Sequence, residues 1–118
     1  MTIQKQTWLN FTNYLLVTSY GNGSVQLEIY PKKQDDMVEA YICRLWVNEK
    51  CRHSGVATML LDTAEDMAQT LGYSEVYLHW NENEAPEWVR EWYERRGYVE
   101  VGFRPRKEGA QVLMRKKL

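Results

Sequence analysis

The sequence contains few of the residues that mark disulfide-rich or metal-binding proteins. Of its 118 residues only Cys43 and Cys51 are cysteine, and the two histidines, His53 and His79, lie far apart in the chain. Two cysteines are too few for a disulfide framework, and their spacing matches no common metal-ligand pattern. We therefore expect free thiols and no metal site.

Long apolar runs and an excess of charge of one sign are also absent. The apolar runs are only a few residues long, and the first residues, MTIQKQTW, lack the pattern of a signal peptide. Fifteen Lys and Arg nearly cancel 16 Asp and Glu, which leaves a formal net charge of −1. This balance favours neither nucleic acid nor an anionic membrane as a partner. We expect a cytoplasmic protein that binds any anion locally.

The remaining composition is that of one globular domain. Hydrophobic residues make up 44% of the chain and charged residues 26%, so residues 1–118 are predicted to form a single domain. Five Trp and eight Tyr stand against two Phe. Aromatic rings with polar tips favour pocket rims and interfaces, which indicates a lined groove.

The first half of the chain has the pattern of a β-sheet. Two β-rich segments, Tyr14–Ser19 and Val25–Tyr30, flank a glycine-containing turn and predict a hairpin. After a polar break, Val38–Val47 is apolar on both faces, which is typical of a central strand. These segments predict a three-strand meander.

The second half predicts two helices and three strands. Apolar residues recur with helical period from Val56, and Gly72 is a suitable end for this helix. Pro86 suits the first turn of a second helix, which runs to Arg96 and stops at Gly97. The predicted strands are Glu75–Trp80, Val99–Phe103 and Gln111–Arg115, the last two forming a hairpin.

Two motifs stand out against this background. The segment Arg52-His53-Ser54-Gly55-Val56-Ala57 joins the central strand to the first helix. Glycine lets a ligand approach the backbone, and free N–H groups at a helix start favour an anion such as pyrophosphate. The segment is equally compatible with a tight turn in which Gly55 serves geometry alone. The second motif, Tyr93-Glu94-Arg95-Arg96-Gly97-Tyr98, ends the second helix.

Together these motifs resemble those of the GNAT family of N-acetyltransferases, in which a loop R/Q-x-x-G-x-G/A precedes a Y-x-x-x-G-F/Y segment. The resemblance covers roughly Glu39 to Phe103, with helix, strand and helix in the family's order. It implies a single α/β domain whose mixed, mostly antiparallel twisted sheet is flanked by helices. It also implies direct transfer of an acetyl group from acetyl-CoA to the primary amine of a small molecule or a protein.

Two features depart from the family pattern. Pro86 stands seven residues before Tyr93, where the family often has asparagine. Only a glycine-rich turn is visible between the first two predicted strands, where the family usually has one or two helices that form an acceptor wall. We therefore expect an open acceptor site or a homodimer in which a second subunit completes it. The alternative is a non-catalytic acyl-CoA-binding or protein-interaction module on the same fold.

The resemblance also implies which residues hold acetyl-CoA. The pyrophosphate would lie on backbone amides at the start of the first helix, and the pantetheine would pair with the end of the central strand. The residues implied are Leu45, Trp46, Val47, Arg52, His53, Ser54, Gly55, Val56, Ala57 and Thr58.

Three residues are candidates for catalysis. By the resemblance, Tyr93 would be the general acid that protonates the departing CoA thiolate. An alkylamine has a pKa of ~10.4 and is mostly protonated at neutral pH, so a base or a water path is required. Glu39 is the first candidate, because its position resembles that of the glutamate base in the histone-acetylating branch. His79 is the second, since an imidazole has a reference pKa of ~6.5. Both side chains also fit purely structural roles on their strands.

Overall fold

The computed structural model describes residues 1–30 and 39–118. In chain order the strands and helices are β1 (Thr2–Thr7), β2 (Thr12–Val17), β3 (Gly23–Ile29), β4 (Ala40–Val47), α1 (Val56–Thr70), β5 (Glu75–Asn81), α2 (Glu87–Arg95), β6 (Val99–Arg104) and β7 (Gln111–Lys117). A short 3-10 helix, Glu49–Cys51, follows β4.

The seven strands form one sheet in the order β1-β2-β3-β4-β5-β7-β6. All neighbouring strands are antiparallel except β4 and β5, which are parallel. The predicted mixed, mostly antiparallel α/β fold is therefore confirmed. The single parallel pair lies at the centre of the sheet, where α1 forms the crossover connection from β4 to β5.

Alternation along the strands decides which face of the sheet is buried. In β3 the side chains of Val25, Leu27 and Ile29 are buried, and the residues between them are half-buried. The buried row packs against the apolar stripe of α1, which includes Leu60 and Leu61. This period of two is what a sheet with one covered face requires.

Both helices cover the same face. Val89, Trp92 and Tyr93 of α2 pack against the core that α1 also contacts. In the part of the chain that the structure describes, no helix lies on the opposite face, which we call the open face. The homodimer expected to cover it stays a prediction.

The first half of the chain contains one strand more than predicted. Every residue of β1 is exposed, and this edge strand pairs only with β2. Its sequence TIQKQT has no alternation of apolar and polar residues, so periodicity did not predict a strand here. The predicted three-strand meander is thus wrong by one strand, because β1 to β4 form a four-strand meander. The glycine-rich turn joins β2 to β3, and the first two strands are joined at Trp8–Phe11, where Trp8 N donates to Phe11 O at 2.8 Å.

The other predicted elements are confirmed within a few residues. The prediction for Val38 lies outside the described residues, and β4 begins at Ala40. The helix predicted from Val56 is α1, and the helix predicted from Pro86 is α2, with Pro86 as its N-cap. The closing hairpin is formed by β6 and β7.

A buried carboxylate ties the two helices to the sheet. Glu65 of α1 is 6% exposed and accepts hydrogen bonds from Tyr98 Oη at 2.7 Å and from Lys116 Nζ at 2.7 Å. Arg96, just after α2, lies 3.5 Å from Glu65 and also pairs with Asp62 of α1. The charge of Glu65 is therefore compensated by groups from three neighbouring elements, as a buried charge requires.

The Glu65 network predicts a measurable contribution to stability. In Tyr98→Phe the ring stays but the bond to the carboxylate is lost, which we expect to lower the free energy of unfolding by about 1.5–3 kcal/mol in urea titrations. Tyr20→Phe is the matched control, because Tyr20 is 92% exposed and its loss should stay within about 0.5 kcal/mol. Equal stabilities for the two variants would contradict this role for Glu65.

Candidate active site

The sheet opens between its two parallel strands. β4 and β5 pair at a single position, Tyr41 with Tyr77. Opposite β3, the β4 register shifts by one extra residue, and Arg44 has a φ of 51°. This is a β-bulge, which bends its strand and ends regular pairing. Beyond Tyr41 the two strands diverge and leave a cleft of about 430 Å³.

The cleft passes through the sheet. On the helix side it is lined by Leu61 of α1 and by Val89 and Tyr93 of α2. On the open face it is lined by Tyr41 and His79, whose neighbours Ile42 and Leu78 point to the core. The full lining is Glu28, Tyr41, Ile42, Cys43, Arg44, Leu45, Leu61, Leu78, His79, Trp80, Asn81, Glu84, Ala85, Val89 and Tyr93. Side chains from both faces of the sheet therefore contribute to the walls of this cleft.

The loop before α1 presents unpaired backbone donors. Gly55 is the N-cap and offers no side-chain bond to the helix. The first N–H of the helix to find a carbonyl is that of Met59, bonded to Gly55 O at 3.0 Å. The preceding N–H groups, those of Val56, Ala57 and Thr58, are the free donors of a helix start. Together with the dipole of a 15-residue helix they form a site for an anion.

The loop before α1 contains two residues in the left-handed backbone conformation and has open space in front of it. Gly55 has a φ of 86° and His53 a φ of 65°, both in the left-handed region. A Cβ added to Gly55 would meet no heavy atom within 4 Å, so the space above it is open. Ser54 Oγ donates to Cys51 O, and Arg52 Nε donates to Val47 O at 3.4 Å. These bonds fix the loop against the end of β4, and the space and donors fit a diphosphate.

The other residues predicted to hold the cofactor lie along the same edge. Leu45 lines the cleft. Trp46 is 48% exposed and pairs with Ser24 of β3, and Val47 pairs with Gly23. The side of β4 that faces β5 has no partner strand here among the described residues, so its backbone groups are available to an extended ligand.

Tyr93 lies where the cleft meets α2. Its ring packs edge-on against Tyr98 with centroids 5.8 Å apart, which fixes its orientation. Burial raises the pKa of Tyr93 to about 12, so the hydroxyl keeps its proton at neutral pH. A protonated phenol in the cleft is suited to donate a hydrogen bond or a proton.

Tyr41 and His79 form a hydrogen-bonded pair on the open face. Tyr41 Oη and His79 Nδ1 are 2.6 Å apart. Burial, with smaller contributions from the charges of Arg106 and Arg104, lowers the pKa of His79 below 6.5. Burial, with Cys43 and Glu28 adding, raises the pKa of Tyr41 above its usual value of 10. At neutral pH the pair is therefore a neutral imidazole that accepts from a protonated phenol.

The structure does not bring Glu39 to the cleft. Glu39 is exposed and precedes β4, and its backbone oxygen accepts from Tyr30 N at 2.8 Å. Burial and then the charge of Glu39 raise the pKa of Tyr73, a residue just beyond the C-terminal end of α1. Gly55 lies at the N-terminal end, so Glu39 and the anion site flank opposite ends of a helix about 22 Å long.

Glu28 is a carboxylate of the cleft lining that sequence reasoning missed. It lies on β3 opposite Tyr41 and lines the cleft. The alternation of β3 predicts that Glu28 lies on the face opposite the core. Its place beside Tyr41 depends on the β3–β4 register, which no sequence motif predicts.

The cysteines are free thiols, as predicted. Burial, with the charge of Glu28 adding, raises the pKa of Cys43 to about 12. Cys43 therefore carries no thiolate at neutral pH, which is the opposite of what a nucleophilic cysteine needs.

The site thus combines a mixed sheet that splits between its parallel strands with a free helix start that follows one of those strands. A model of the Acetyltransferase (GNAT) family matches residues 22–98. The chain belongs to the GNAT acetyltransferase family, whose cosubstrate is acetyl-CoA. Among curated proteins, none matches this chain in sequence.

Solved structures with the same architecture include three acetyltransferases. One from Bacillus cereus is 25% identical over 98% of this chain and 74% of its own, with a TM-score of 0.68. A GNAT acetyltransferase from Elizabethkingia anophelis with acetyl-CoA bound is 15% identical, covers 99% of this chain and 97% of its own, and has a TM-score of 0.71. The ribosomal-protein-S18-alanine N-acetyltransferase from Escherichia coli is 15% identical over 94% and 71%, with a TM-score of 0.70.

Neither α1 nor α2 is long and apolar enough to span a bilayer, and this holds for every helix in residues 1–30 and 39–118.

The free donors at the start of α1 generate the first test of the site. We expect Gly55→Glu to abolish CoA binding in isothermal calorimetry, because a carboxylate then occupies the open space in front of those donors. Gly72→Glu is the matched control, since Gly72 has a φ of 98° and equally open surroundings beyond the other end of α1. Equal CoA affinity in a folded Gly55→Glu variant would remove the anion site from this loop.

Proposed function

We propose that this chain is an N-acetyltransferase that moves an acetyl group from acetyl-CoA directly to a primary amine. The observation that supports this most strongly is the cleft through the sheet. Tyr93 of α2 lines it on one face and the Tyr41–His79 pair on the other, and the free donors of α1 follow β4, the strand that forms one of its walls. Acetyl-CoA supplies an activated thioester, and the chain has only to align it with an amine, which is a proximity effect.

In this proposal the chain holds acetyl-CoA by its backbone. The free N–H groups of Val56, Ala57 and Thr58, at the end of the loop that begins at Arg52, receive the diphosphate. The unpaired side of β4 from Leu45 to Val47 receives the pantetheine amides as a neighbouring strand would. Recognition by the backbone rests on the shape of the loop and on the divergence of the strands.

Tyr93 is proposed as the general acid. The leaving thiolate has a conjugate thiol pKa of roughly 8.5 by analogy with cysteine, and a phenol that keeps its proton can donate to it. Because burial raises the pKa of Tyr93 to about 12, the hydroxyl has a proton to donate at neutral pH.

His79 is proposed as the base, with Tyr41 as its relay. The amine must lose a proton to attack, and Tyr41 Oη, 2.6 Å from His79 Nδ1, offers the route. Tyr41 accepts the proton from the amine while its own proton passes to Nδ1, so the phenol stays neutral. We favour His79 over Glu39 because His79 lines the cleft and Glu39 does not.

Tyr93→Phe tests the acid. The ring and its packing remain, so turnover should fall by ~10²-fold while the melting temperature holds. The measurement is single-turnover thiol release, which excludes product release as the limiting step. Tyr77→Phe is the control, because the Tyr77 hydroxyl bonds Glu75 at 2.8 Å and does not line the cleft. Wild-type turnover in Tyr93→Phe would show that the thiolate leaves without this acid.

A pH profile tests the base. Only the neutral imidazole accepts a proton, so kcat/KM should fall as pH drops through a His79 pKa below 6.5. Arg106→Gln removes a charge that lowers this pKa, so the acidic limb should move to higher pH. Lys107→Gln changes the same charge in the same loop and should leave the limb in place.

The comparison uses one amine throughout, so the titration of the amine cancels between variants. In His79→Gln we expect the acidic limb of the kcat/KM profile to disappear. If Glu39→Gln lowers kcat/KM and His79→Gln does not, the role of base moves to Glu39.

A further inference from the structure

A second cleft of about 400 Å³ opens on the open face beside the first. It is shared between β1, β2, β3 and β4 and meets the first cleft at Glu28 and Arg44, which line both. Its full lining is Gln6, Trp8, Phe11, Asn13, Leu15, Gln26, Glu28 and Arg44. A molecule on the open face can therefore extend from one cleft into the other without crossing the sheet.

The floor of this second cleft holds one hydrogen-bond acceptor without a partner and a second, charged acceptor with only long contacts. Asn13 Oδ1 is buried and has no hydrogen-bond partner among residues 1–30 and 39–118. Asn13 lies directly opposite Glu28 in the β2–β3 register, so the two side chains share a face and lie ~5 Å apart at Cβ. Glu28 is bonded only loosely, with Tyr30 Oη at 3.4 Å and Arg44 Nη1 at 3.8 Å. Two neighbouring acceptors, one of them charged, call for a cationic N–H donor.

The charges in this cleft are arranged to admit a cation. The Glu28 side chain is 14% exposed, whereas that of Arg44 is 66% exposed. The Glu28 carboxylate is therefore mostly buried, and solvent ions screen its charge only weakly. The Arg44 guanidinium is mostly in solvent, so its ion pair with Glu28 contributes little energy. An anion in the cleft would meet Glu28 and Asn13 Oδ1 with no buried cation to hold it.

The rim adds a surface for an alkyl chain. Phe11 stacks on Tyr30 with centroids 5.4 Å apart and on Trp8 at 6.4 Å. Trp8 is 52% exposed, so this aromatic row is open to a ligand. Aromatic faces favour methylene groups and cations alike.

The distance to the reaction centre limits the length of the ligand. Asn13, Glu28 and Tyr41 are successive register partners across β2, β3 and β4. Neighbouring strands are ~4.8 Å apart, so the acceptors lie one to two strand spacings from Tyr41. A chain of a few methylenes spans this gap.

We infer that the second cleft is an acceptor subsite that selects diamines: one amine is acetylated beside Tyr41 while a second, cationic nitrogen is held by Glu28 and Asn13. This inference rests on the proposed function for the reaction, but the binding of the second nitrogen does not depend on turnover.

The test compares 1,4-diaminobutane with pentylamine, which replaces the second nitrogen by a methyl group. The wild type should prefer the diamine in kcat/KM by ~10- to 100-fold, the range expected for a charged hydrogen bond. Glu28→Gln should bring the ratio close to one. Glu75→Gln is the matched control, since Glu75 is a carboxylate of β5 that pairs with Arg115 and lies outside both clefts, and it should keep the wild-type ratio.

A second variant and a second readout keep the test decisive. Asn13→Leu removes the unpartnered oxygen with little change in side-chain volume, and it should lower the ratio ~3- to 10-fold even if Glu28→Gln does not fold. Calorimetric binding of 1,4-diaminobutane to the CoA complex should weaken in the same order.

An equal preference for both amines in the wild type, or a ratio unchanged in a folded Glu28→Gln variant, would overturn the subsite while leaving the acetyltransferase proposal intact. Diamine binding that depends on Glu28 without thiol release would support the subsite and reject the reaction.

Discussion

The site depends on one local departure from regular sheet structure, the bulge at Arg44. Parallel neighbours in a sheet normally stay paired along their length, yet β4 and β5 pair at one position only. With the extra residue at Arg44, one edge of β4 stays paired with β3. Beyond Tyr41, the edge of β4 that faces β5 has no partner strand among the described residues. Without that divergence, the donors of α1 and the Tyr41–His79 pair would be separated by a closed sheet.

The rest of the fold holds the two sides of the split in place. α1 follows β4 through a short loop, so its free N-terminal donors lie at the end of the diverging strand. α2 follows β5 and brings Tyr93 to the opposite wall. Glu65 then links α1 to the end of α2 and to β7 through Arg96, Tyr98 and Lys116. The width of the cleft is therefore fixed by contacts that lie outside it, which suits a site that aligns two reactants.

Sequence patterns predicted those parts of the structure that depend on neighbours along the chain. Helical periodicity located α1, and the glycine before it marked the loop after which the first N–H groups of the helix are free. The strand β1 was missed because its side chains are polar and exposed, so it carries no alternation. The pair formed by Tyr41 and His79 joins residues 38 apart, and the place of Glu28 beside Tyr41 depends on register. Such non-local contacts leave no local pattern. Glu39 was proposed because its position resembles that of the glutamate base in the histone-acetylating branch, whereas the structure places it before β4, near Tyr73 beyond the C-terminal end of α1.

The central claim is that the split sheet brings acetyl-CoA and an amine together for reaction. Thiol release from acetyl-CoA by the purified chain, followed across a panel of primary amines with the products identified by mass spectrometry, tests it most directly. The account predicts thiol release that depends on the amine and matches the N-acetylated product mole for mole. Tight binding of acetyl-CoA with no amine-dependent release for any member of the panel would contradict it and identify the chain as a non-catalytic acyl-CoA-binding module.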